Sequence, residues 1–207
     1  MVAPVTSPDA LPNGPLPAEA IHLCVDMQLL FARDTDWHTP WMERVLPQVH
    51  RLAARHPDRT VFTRFVPARH PGEGRGCWKR YYERWASMTI ERMGEDMIGL
   101  LPELAALTPP AVVVDKQVYS PWLDPALDHL LRSRGSDTVV VTGGETDVCV
   151  LATVMGAVDR GYRVVIATDA LCSSSDRTHD AMLTLYQQRF GQQIETADVD
   201  LVLRNWN

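Results

Sequence analysis

The chain alternates between short, continuous apolar runs and longer segments in which apolar residues recur every three or four positions. Continuous runs are typical of strands buried on both faces, and the longer period is typical of helices that cover a sheet. The runs predict strands at residues 20–25, 60–65, 111–114, 138–141, 163–169 and 193–196. The periodic segments predict helices at residues 41–54, 124–132, 148–158, 174–189 and 199–203. This alternation predicts an α/β fold with a parallel sheet covered on both faces by helices.

The strand at residues 138–141 leads through a glycine turn to a cysteine. All four strand residues are β-branched, which favours a buried strand. Thr146 is a possible N-cap for the following helix, which Gly161 would end. Cys149 would then lie at the helix start, where free N–H groups and a partial positive charge favour a thiolate. Cys149 is therefore a candidate nucleophile, although a small apolar residue packing helix against sheet is the alternative.

Two of the predicted helices have unusual compositions. The helix after Asp147 is apolar nearly all round, which predicts burial between the sheet and other helices or in a subunit interface. Pro47 lies within the helix predicted at residues 41–54. That helix is therefore expected either to be kinked at Pro47 or to begin near it.

Composition divides the chain into two parts. Residues 1–18 contain five prolines and show no apolar period, which predicts a surface extension. It would be partly disordered, or draped over the domain or a neighbouring subunit. Residues 19–207 are expected to form a single domain, large enough to bury a full core without disulfides or metals.

Charge and cysteine content exclude several classes of function. A net charge of −6 without a basic run argues against nucleic-acid binding, and no apolar stretch reaches the length of a membrane span. The N-terminus lacks the order of a signal peptide, so a cytoplasmic location is expected. Cys24, Cys77, Cys149 and Cys172 have neither zinc-site spacing nor the density of a disulfide framework. We expect free thiols.

Asp26 and Lys116 each follow an apolar strand, as the turn before Cys149 does. Alone, an aspartate there most often caps a turn, and a lysine is most often a solvated surface charge. In a parallel sheet, however, the carboxyl ends of the strands face one crevice, so the three side chains are predicted to converge. They would assemble a carboxylate base, a cation and a thiol.

These residue types suit nucleophilic catalysis. Asp26 would take the thiol proton and later pass it to a leaving nitrogen. Lys116 would stabilise the Cys149 thiolate and keep Asp26 ionised. The backbone N–H groups of Glu145 and Cys149 would form an oxyanion hole for a tetrahedral intermediate.

The loops beside these residues supply candidate substrate contacts. Arg64 would meet a substrate carboxylate or form a structural salt bridge. The candidate pocket walls, each of which could equally belong to the core, are Phe31, Tyr119 and Trp122. Residues 66–76 are predicted to be a loop. The aromatic and cationic segment at residues 77–85 would be a lid, a subunit contact, or an amphipathic helix packed on the body.

Three segments of the chain resemble the isochorismatase-like cysteine hydrolase superfamily, from about residue 19 to the end. The superfamily includes nicotinamidases, N-carbamoylsarcosine amidases, ureidoacrylate and biuret hydrolases, and isochorismatases. The matching positions are Asp26, Met27, Gln28 and Phe31; Lys116 and Ser120; and Thr142, Gly143, Thr146, Asp147, Cys149 and Val150. The resemblance implies an Asp26/Lys116/Cys149 triad and a Rossmann-like, three-layer α/β/α sandwich with six parallel strands. It further implies a cis peptide bond at Gly144–Glu145 and a homo-oligomer, a dimer or tetramer.

Departures from the family pattern narrow the expected activity. Nicotinamidases carry an Asp-x-His metal pair where this chain has Thr63, Arg64 and Phe65, and His70 lacks an evident partner carboxylate. We therefore expect no catalytic metal and no cofactor. Isochorismatases that cleave a vinyl ether generally lack the nucleophilic cysteine, which is present here as Cys149.

The sequence thus predicts thioester-mediated hydrolysis of a carbon–nitrogen bond in a small amide, ureide or carbamoyl compound. Vinyl-ether hydrolysis by Asp26 is one alternative. A catalytically silent binding or scaffold subunit is the other. The small-molecule substrate itself is not identified by the sequence.

Overall fold

The computed structural model describes residues 9–207, and in this part of the chain six strands form one sheet. The strands are β1 (Ile21–Val25), β2 (Thr60–Phe65), β3 (Val112–Lys116), β4 (Thr138–Gly144), β5 (Arg163–Cys172) and β6 (Ile194–Ala197). Their order is β3-β2-β1-β4-β5-β6, and every neighbouring pair is parallel. All carboxyl ends therefore lie at one edge of the sheet, as the continuous apolar runs predicted.

Over the same residues, helices connect the strands. They are α1 (Leu29–Ala32), α2 (Met42–Arg55), α3 (Cys77–Arg84), α4 (Ile90–Met93), α5 (Pro102–Ala105), α6 (Ala126–Ser133), α7 (Cys149–Asp159), α8 (Asp176–Gln188) and α9 (Val199–Arg204). Short 3-10 helices occupy Pro57–Arg59, Ala86–Met88 and Glu95–Ile98. No helix among the described residues combines the length and the apolar character needed to cross a membrane.

Each face of the sheet has its own apolar core, because successive strand side chains point to opposite faces. In β1, Leu23 and Val25 belong to one core and Cys24 to the other. The helices α2, α5 and α9 cover the face of Cys24, and α6, α7 and α8 cover the face of Leu23. This arrangement confirms the predicted three-layer α/β/α sandwich with a six-stranded parallel sheet.

Two local expectations are corrected. The helix α2 runs from Met42 through Pro47, so it does not begin near that proline. Thr146 does not cap α7, because the residue before the helix is Val148, which makes no side-chain cap. The Thr146 hydroxyl instead donates to the carbonyl of Cys172 at 3.0 Å, which ties the turn after β4 to the end of β5.

Residues 9–18 of the predicted N-terminal extension lie along the domain. Leu11 and Leu16 are buried, and the backbone N–H of Leu16 donates to the carbonyl of Asn205 at 2.8 Å. The Arg163 guanidinium donates to the carbonyl of Gly14 at 2.6 Å. The described part of the extension is therefore draped over its own domain, whereas residues 1–8 lie outside the described residues.

Candidate active site

Asp26, Lys116 and Cys149 meet at the carboxyl edge of the sheet. Lys116 Nζ lies 2.7 Å from Asp26 Oδ2 and donates to Cys149 Sγ at 3.3 Å. A third contact, to the carbonyl of Val118 at 3.2 Å, fixes the ammonium further. All three side chains are buried, with exposed fractions of 0% for Asp26, 6% for Lys116 and 5% for Cys149.

The strand order explains how Lys116 reaches the other two residues. Lys116 ends β3, and β2 lies between β3 and β1, so the lysine must extend across the end of β2. Its ammonium lies 5.0 Å from the centroid of the Phe65 ring, the last residue of β2. A long side chain with a cationic tip suits this position, because the ammonium reaches across β2 and lies over the ring.

The backbone and a neighbouring hydroxyl hold Asp26 in place. Asp26 has a φ of +50°, in the left-handed region that residues other than glycine rarely adopt. Its N–H donates to the carbonyl of Thr63 at 3.2 Å, and the Thr63 hydroxyl donates to Asp26 Oδ1 at 2.7 Å. Thr63 thus fixes one carboxylate oxygen while Lys116 faces the other.

Gln28 fastens the loop after Asp26 to its surroundings. Its side-chain oxygen accepts from the N–H of Phe65 at 2.7 Å. Its amide nitrogen donates to the carbonyl of Phe65 at 3.0 Å and to that of Ile98 at 2.8 Å. Because Gln28 is fully buried, these bonds satisfy a polar group that would otherwise be costly to bury.

The electrostatic environment favours a neutral thiol and a charged lysine in the resting site. Burial raises the pKa of the Cys149 thiol well above its ordinary range, and Asp26 raises it further, whereas Lys116 acts in the opposite direction. Burial alone would lower the pKa of Lys116, but Asp26 and Cys149 outweigh it and the pKa of the ammonium is raised. Cys149 therefore needs a base to become a nucleophile, and Asp26 lies next to the same ammonium.

The turn between β4 and α7 leaves two backbone N–H groups without a backbone acceptor among the described residues. The Gly144–Glu145 peptide bond is cis, at the position that the family resemblance implies. In this turn the N–H groups of Thr146, Val148 and Val150 donate to backbone carbonyls. Those of Glu145 and Cys149 are not among the donors within residues 9–207.

A cavity of about 320 Å³ opens onto Cys149. Half of the residues in its wall are aromatic, and the wall also contains two carboxylates and a histidine. The residues that line it are Phe31, Asp36, Trp37, His38, Phe65, Tyr81, Trp85, Tyr119, Glu145, Val148, Cys149 and Ser174. A partly enclosed space of this size, with a thiol on its wall, suits a small organic molecule.

Two segments outside the sheet close the cavity. One is α3 with the residue after it, which contribute Tyr81 and Trp85, and the other is the stretch between α1 and α2, which contributes Trp37. The segments touch, because the ring centroids of Trp37 and Tyr81 lie 5.7 Å apart. Just after the first segment, the Ser87 hydroxyl also donates to Asp36. The segment at residues 77–85 is thus a short helix that forms part of the cavity wall.

Comparison with known proteins places this architecture in a family. A family model described as the isochorismatase domain matches residues 20–198. The chain belongs to the isochorismatase family. It is an isochorismatase-family hydrolase, and among its relatives are amidohydrolases.

Individual relatives differ in their sequence identity to this chain and in the share of each chain that is matched. An uncharacterized isochorismatase family protein, YwoC of Bacillus subtilis, is 27% identical over 155 residues, which cover 75% of this chain and 81% of YwoC. The ureidoacrylate amidohydrolase RutB of Methylorubrum extorquens is 37% identical over 93 residues, 44% of this chain and 35% of RutB. The crystal structure of a cysteine hydrolase from Pseudomonas syringae pv. phaseolicola superposes with a TM-score of 0.77 at 23% identity, covering 92% of this chain and 94% of that one.

Of the four predicted substrate contacts, two line the cavity of this isochorismatase-family chain and two do not. Phe31 and Tyr119 line the cavity. Arg64 does not line the cavity. Its guanidinium forms a bidentate pair with Asp115 at 2.7 and 2.8 Å, which is the structural salt bridge predicted as the alternative to a substrate contact. Trp122 does not either, because its indole donates to the carbonyl of Thr153 at 2.8 Å in the core beside α7.

His70 also has a different environment from the one that the sequence suggested. Its Nδ1 lies 3.1 Å from Glu91 Oε2, and both side chains are largely exposed. Within residues 9–207 no group of three or more His, Cys, Asp or Glu side chains is arranged to hold a metal ion.

Several site residues were missed by the sequence analysis. Trp37 and Asp36 lie in a polar stretch without a period, and Thr63 lies in an apolar strand where nothing distinguishes it from a packing residue. Their proximity to Asp26 or to the cavity depends on which loops meet across the sheet edge. A usable signal existed only for Tyr81 and Trp85, whose aromatic segment was predicted as a possible lid.

Proposed function

We propose that the chain is a cysteine-dependent hydrolase that cleaves a carbon–nitrogen bond in a small amide, ureide or carbamoyl compound through a thioester. The observation that carries this proposal is the position of Lys116, within 2.7 Å of Asp26 and 3.3 Å of Cys149, with the thiol on the wall of the cavity. A nucleophile, a base and a cation in contact at a pocket are the parts that acyl transfer requires.

The reaction would begin with the neutral thiol. As Cys149 Sγ forms a bond to the substrate carbonyl carbon, its proton moves to the Asp26 carboxylate. The same proton then passes to the leaving nitrogen as the carbon–nitrogen bond breaks, which leaves a thioester. Asp26 next takes a proton from water, the resulting hydroxide attacks the thioester carbonyl, and the proton returns to sulfur as the carbon–sulfur bond breaks.

Lys116 would act on the charges that appear during these steps. Its ammonium stabilises negative charge on sulfur, which offsets the effect of burial on the thiol. The N–H groups of Glu145 and Cys149 would stabilise the oxyanion of each tetrahedral intermediate, and losing one such donor typically costs about 10²–10³ in rate.

One relative supports the reaction class. RutB is named for hydrolysis of ureidoacrylate, and its matched region is the most similar of those described above. Because that region covers only 35% of RutB, it supports the class of bond and not the substrate.

The test compares variants on a panel of amides, ureides and carbamoyl compounds, and ammonia release is the measured quantity. Cys149→Ala and Asp26→Asn should each lose at least about 10³-fold in turnover. Cys77→Ala should retain full activity, because Cys77 is exposed and does not line the cavity.

Other outcomes would support the alternatives. Full activity in Cys149→Ala with loss in Asp26→Asn would assign the chemistry to the carboxylate, as in vinyl-ether hydrolysis. A folded wild-type chain that turns over no member of the panel would favour a binding or scaffold subunit.

A further inference from the structure

The wall of the cavity beside Cys149 has an unusual charge distribution. Among the described residues that line it, two carry carboxylates, Asp36 and Glu145, and none is a lysine or arginine. His38 is the remaining titratable base of the wall. A substrate carboxylate would therefore meet like charges and no fixed cation, whereas a positive group would meet favourable charges.

Three cations in the segments around the site have partners. Lys116 is in contact with Asp26 and Cys149, and Arg64 is paired with Asp115. Arg84 lies 5.2 Å from the centroid of the Trp85 ring and is not a lining residue. Each of these three cations would have to leave its partner to bind a substrate carboxylate.

Aromatic rings make up half of the wall. Trp37 lies at the centre of the group, with ring centroids 6.2 Å from Phe31, 5.9 Å from Phe65 and 5.7 Å from Tyr81. The faces of such rings carry negative electrostatic potential and attract ammonium groups, most strongly where water is excluded. Rings combined with nearby carboxylates are the usual recognition chemistry for alkylated ammonium ions.

We propose that the substrate is a cationic amide, with an alkylated ammonium group on the acyl side that lies among these rings and faces Asp36 and Glu145. This inference rests on the proposed function, since the carbonyl carbon must lie beside Cys149. Hydrolysis then follows the steps given above, and it releases ammonia and a zwitterionic acid. The cavity of about 320 Å³ limits the substrate to a small molecule.

Three amides of similar size test the charge preference directly. Trimethylammonioacetamide is cationic, 3,3-dimethylbutanamide is its neutral isostere, and succinamate is anionic. At pH 8, kcat/KM for ammonia release should be at least tenfold higher for the cation than for the neutral isostere, and lowest for succinamate. Equal or better hydrolysis of the neutral isostere, or a preference for succinamate, would overturn the proposal.

Binding to the full-length Cys149→Ser variant separates this inference from the proposed function. Calorimetric titration should give at least tenfold tighter binding of the cation than of its isostere. Such binding without hydrolysis by the wild-type chain would keep the cation-selective cavity and reject the hydrolase. Hydrolysis of succinamate that Cys149→Ala abolishes would keep the hydrolase and reject the cationic substrate. Absence of binding by all three amides would reject the cation-selective cavity.

A matched pair of variants tests the role of Asp36. In Asp36→Asn the ratio of kcat/KM for the cation to that for the isostere should fall at least threefold, because the carboxylate that faces the ammonium is neutralised. Asp34→Asn removes a charge two residues away, outside the cavity wall, and should leave the ratio unchanged. Equal ratios in the wild-type chain and Asp36→Asn would contradict the assignment of this carboxylate.

Discussion

Lys116 and Asp26 form an ion pair whose side chains are 3% and 0% exposed. The Arg64–Asp115 pair, by contrast, is partly in solvent, with side chains 27% and 49% exposed. An exposed pair typically contributes about 0–1 kcal/mol, whereas breaking a buried one costs about 3–5 kcal/mol, because it leaves an uncompensated charge. Substituting Lys116 should therefore affect both the fold and the reaction.

Lys116→Met should lower the free energy of unfolding by about 3–5 kcal/mol. The double variant Asp26→Asn/Lys116→Met should recover most of that loss, since it removes both charges. Urea denaturation of the wild-type chain, the single variant and the double variant measures the effect. A single variant as stable as the wild-type chain would show that the pair is not the buried contact described here.

The sequence predicted the triad residues and missed their supporting partners for one physical reason. Asp26, Lys116 and Cys149 are placed by strand ends, and parallel strands bring those ends to one edge whatever the loops do. The role of Thr63 depends on the rotamer of a single side chain, and the partner of Arg64 depends on the register between β2 and β3. Neither quantity can be obtained from apolar periodicity.

At the scale of elements, β1 carries a buried histidine between two neighbouring strands. His22 Nε2 lies 2.7 Å from the Thr142 hydroxyl and Nδ1 lies 3.3 Å from that of Thr60. Burial, with a smaller effect of the charge on His56, lowers the pKa of His22 to about 3. The ring is therefore neutral in the folded chain throughout the range in which an unfolded histidine takes up a proton.

This difference predicts a loss of stability in acid. Between about pH 6.5 and pH 3 the unfolded chain binds a proton at residue 22 that the folded chain does not bind, so His22 contributes a decrease of about 1.4 kcal/mol per pH unit as the pH falls. His22→Gln should show a shallower decrease in the free energy of unfolding between pH 7 and pH 5. Equal slopes in the wild-type chain and His22→Gln would refute the prediction.

The junction of β4 and β1 depends on a residue without a side chain. Gly143 has a φ of +102°, and a Cβ atom there would lie 2.1 Å from the carbonyl oxygen of Val25, directly before Asp26. Because both atoms belong to strand backbones, neither can move without breaking the sheet. The close approach brings the start of the cysteine turn next to the Asp26 backbone.

Gly143→Ala should therefore lower the free energy of unfolding by more than about 4 kcal/mol or prevent folding. Gly161 is the matched control, since its φ of +82° is similarly left-handed but a Cβ there would meet nothing within 4 Å. Gly161→Ala should cost only about 1–2 kcal/mol, the conformational penalty alone. Thermal denaturation measures both variants, and equal losses in the free energy of unfolding would contradict the steric argument.

The elements also show where periodicity fails. The strands were located correctly, but β4 extends to Gly144 and β5 to Cys172. These extensions arise because each strand end pairs with the other across an irregularity, which no single segment reveals. The four-residue helices α1, α4 and α5 were not predicted, because one turn of helix is too short to show a period.

At the scale of the whole molecule, residues 9–18 pack against the last residues of the chain. Leu11 is 1% exposed in the same apolar core as Trp206, near the C-terminus. Leu11→Ala should therefore lower the free energy of unfolding by about 2–5 kcal/mol, the usual cost of a core cavity. Leu123→Ala, at a side chain 77% exposed, should change it by less than about 0.5 kcal/mol, and equal effects would contradict the docked segment.

The predicted homo-oligomer, a dimer or tetramer, stays a prediction. Part of the argument for it was the aromatic segment at residues 77–85. Two side chains of that segment, Tyr81 and Trp85, line the cavity. The segment therefore has a use within one chain, which weakens the inference that it serves as a subunit contact.

The raised pKa of the Cys149 thiol has a consequence for the durability of the protein. Peroxide and alkylating reagents attack thiolates far faster than thiols, so a site that stays protonated until a substrate arrives is chemically quiet at rest. Cys77, which is exposed, is the sulfur that such reagents meet first. Among the cysteines of the described residues, oxidation and alkylation should therefore reach exposed Cys77 before buried Cys149.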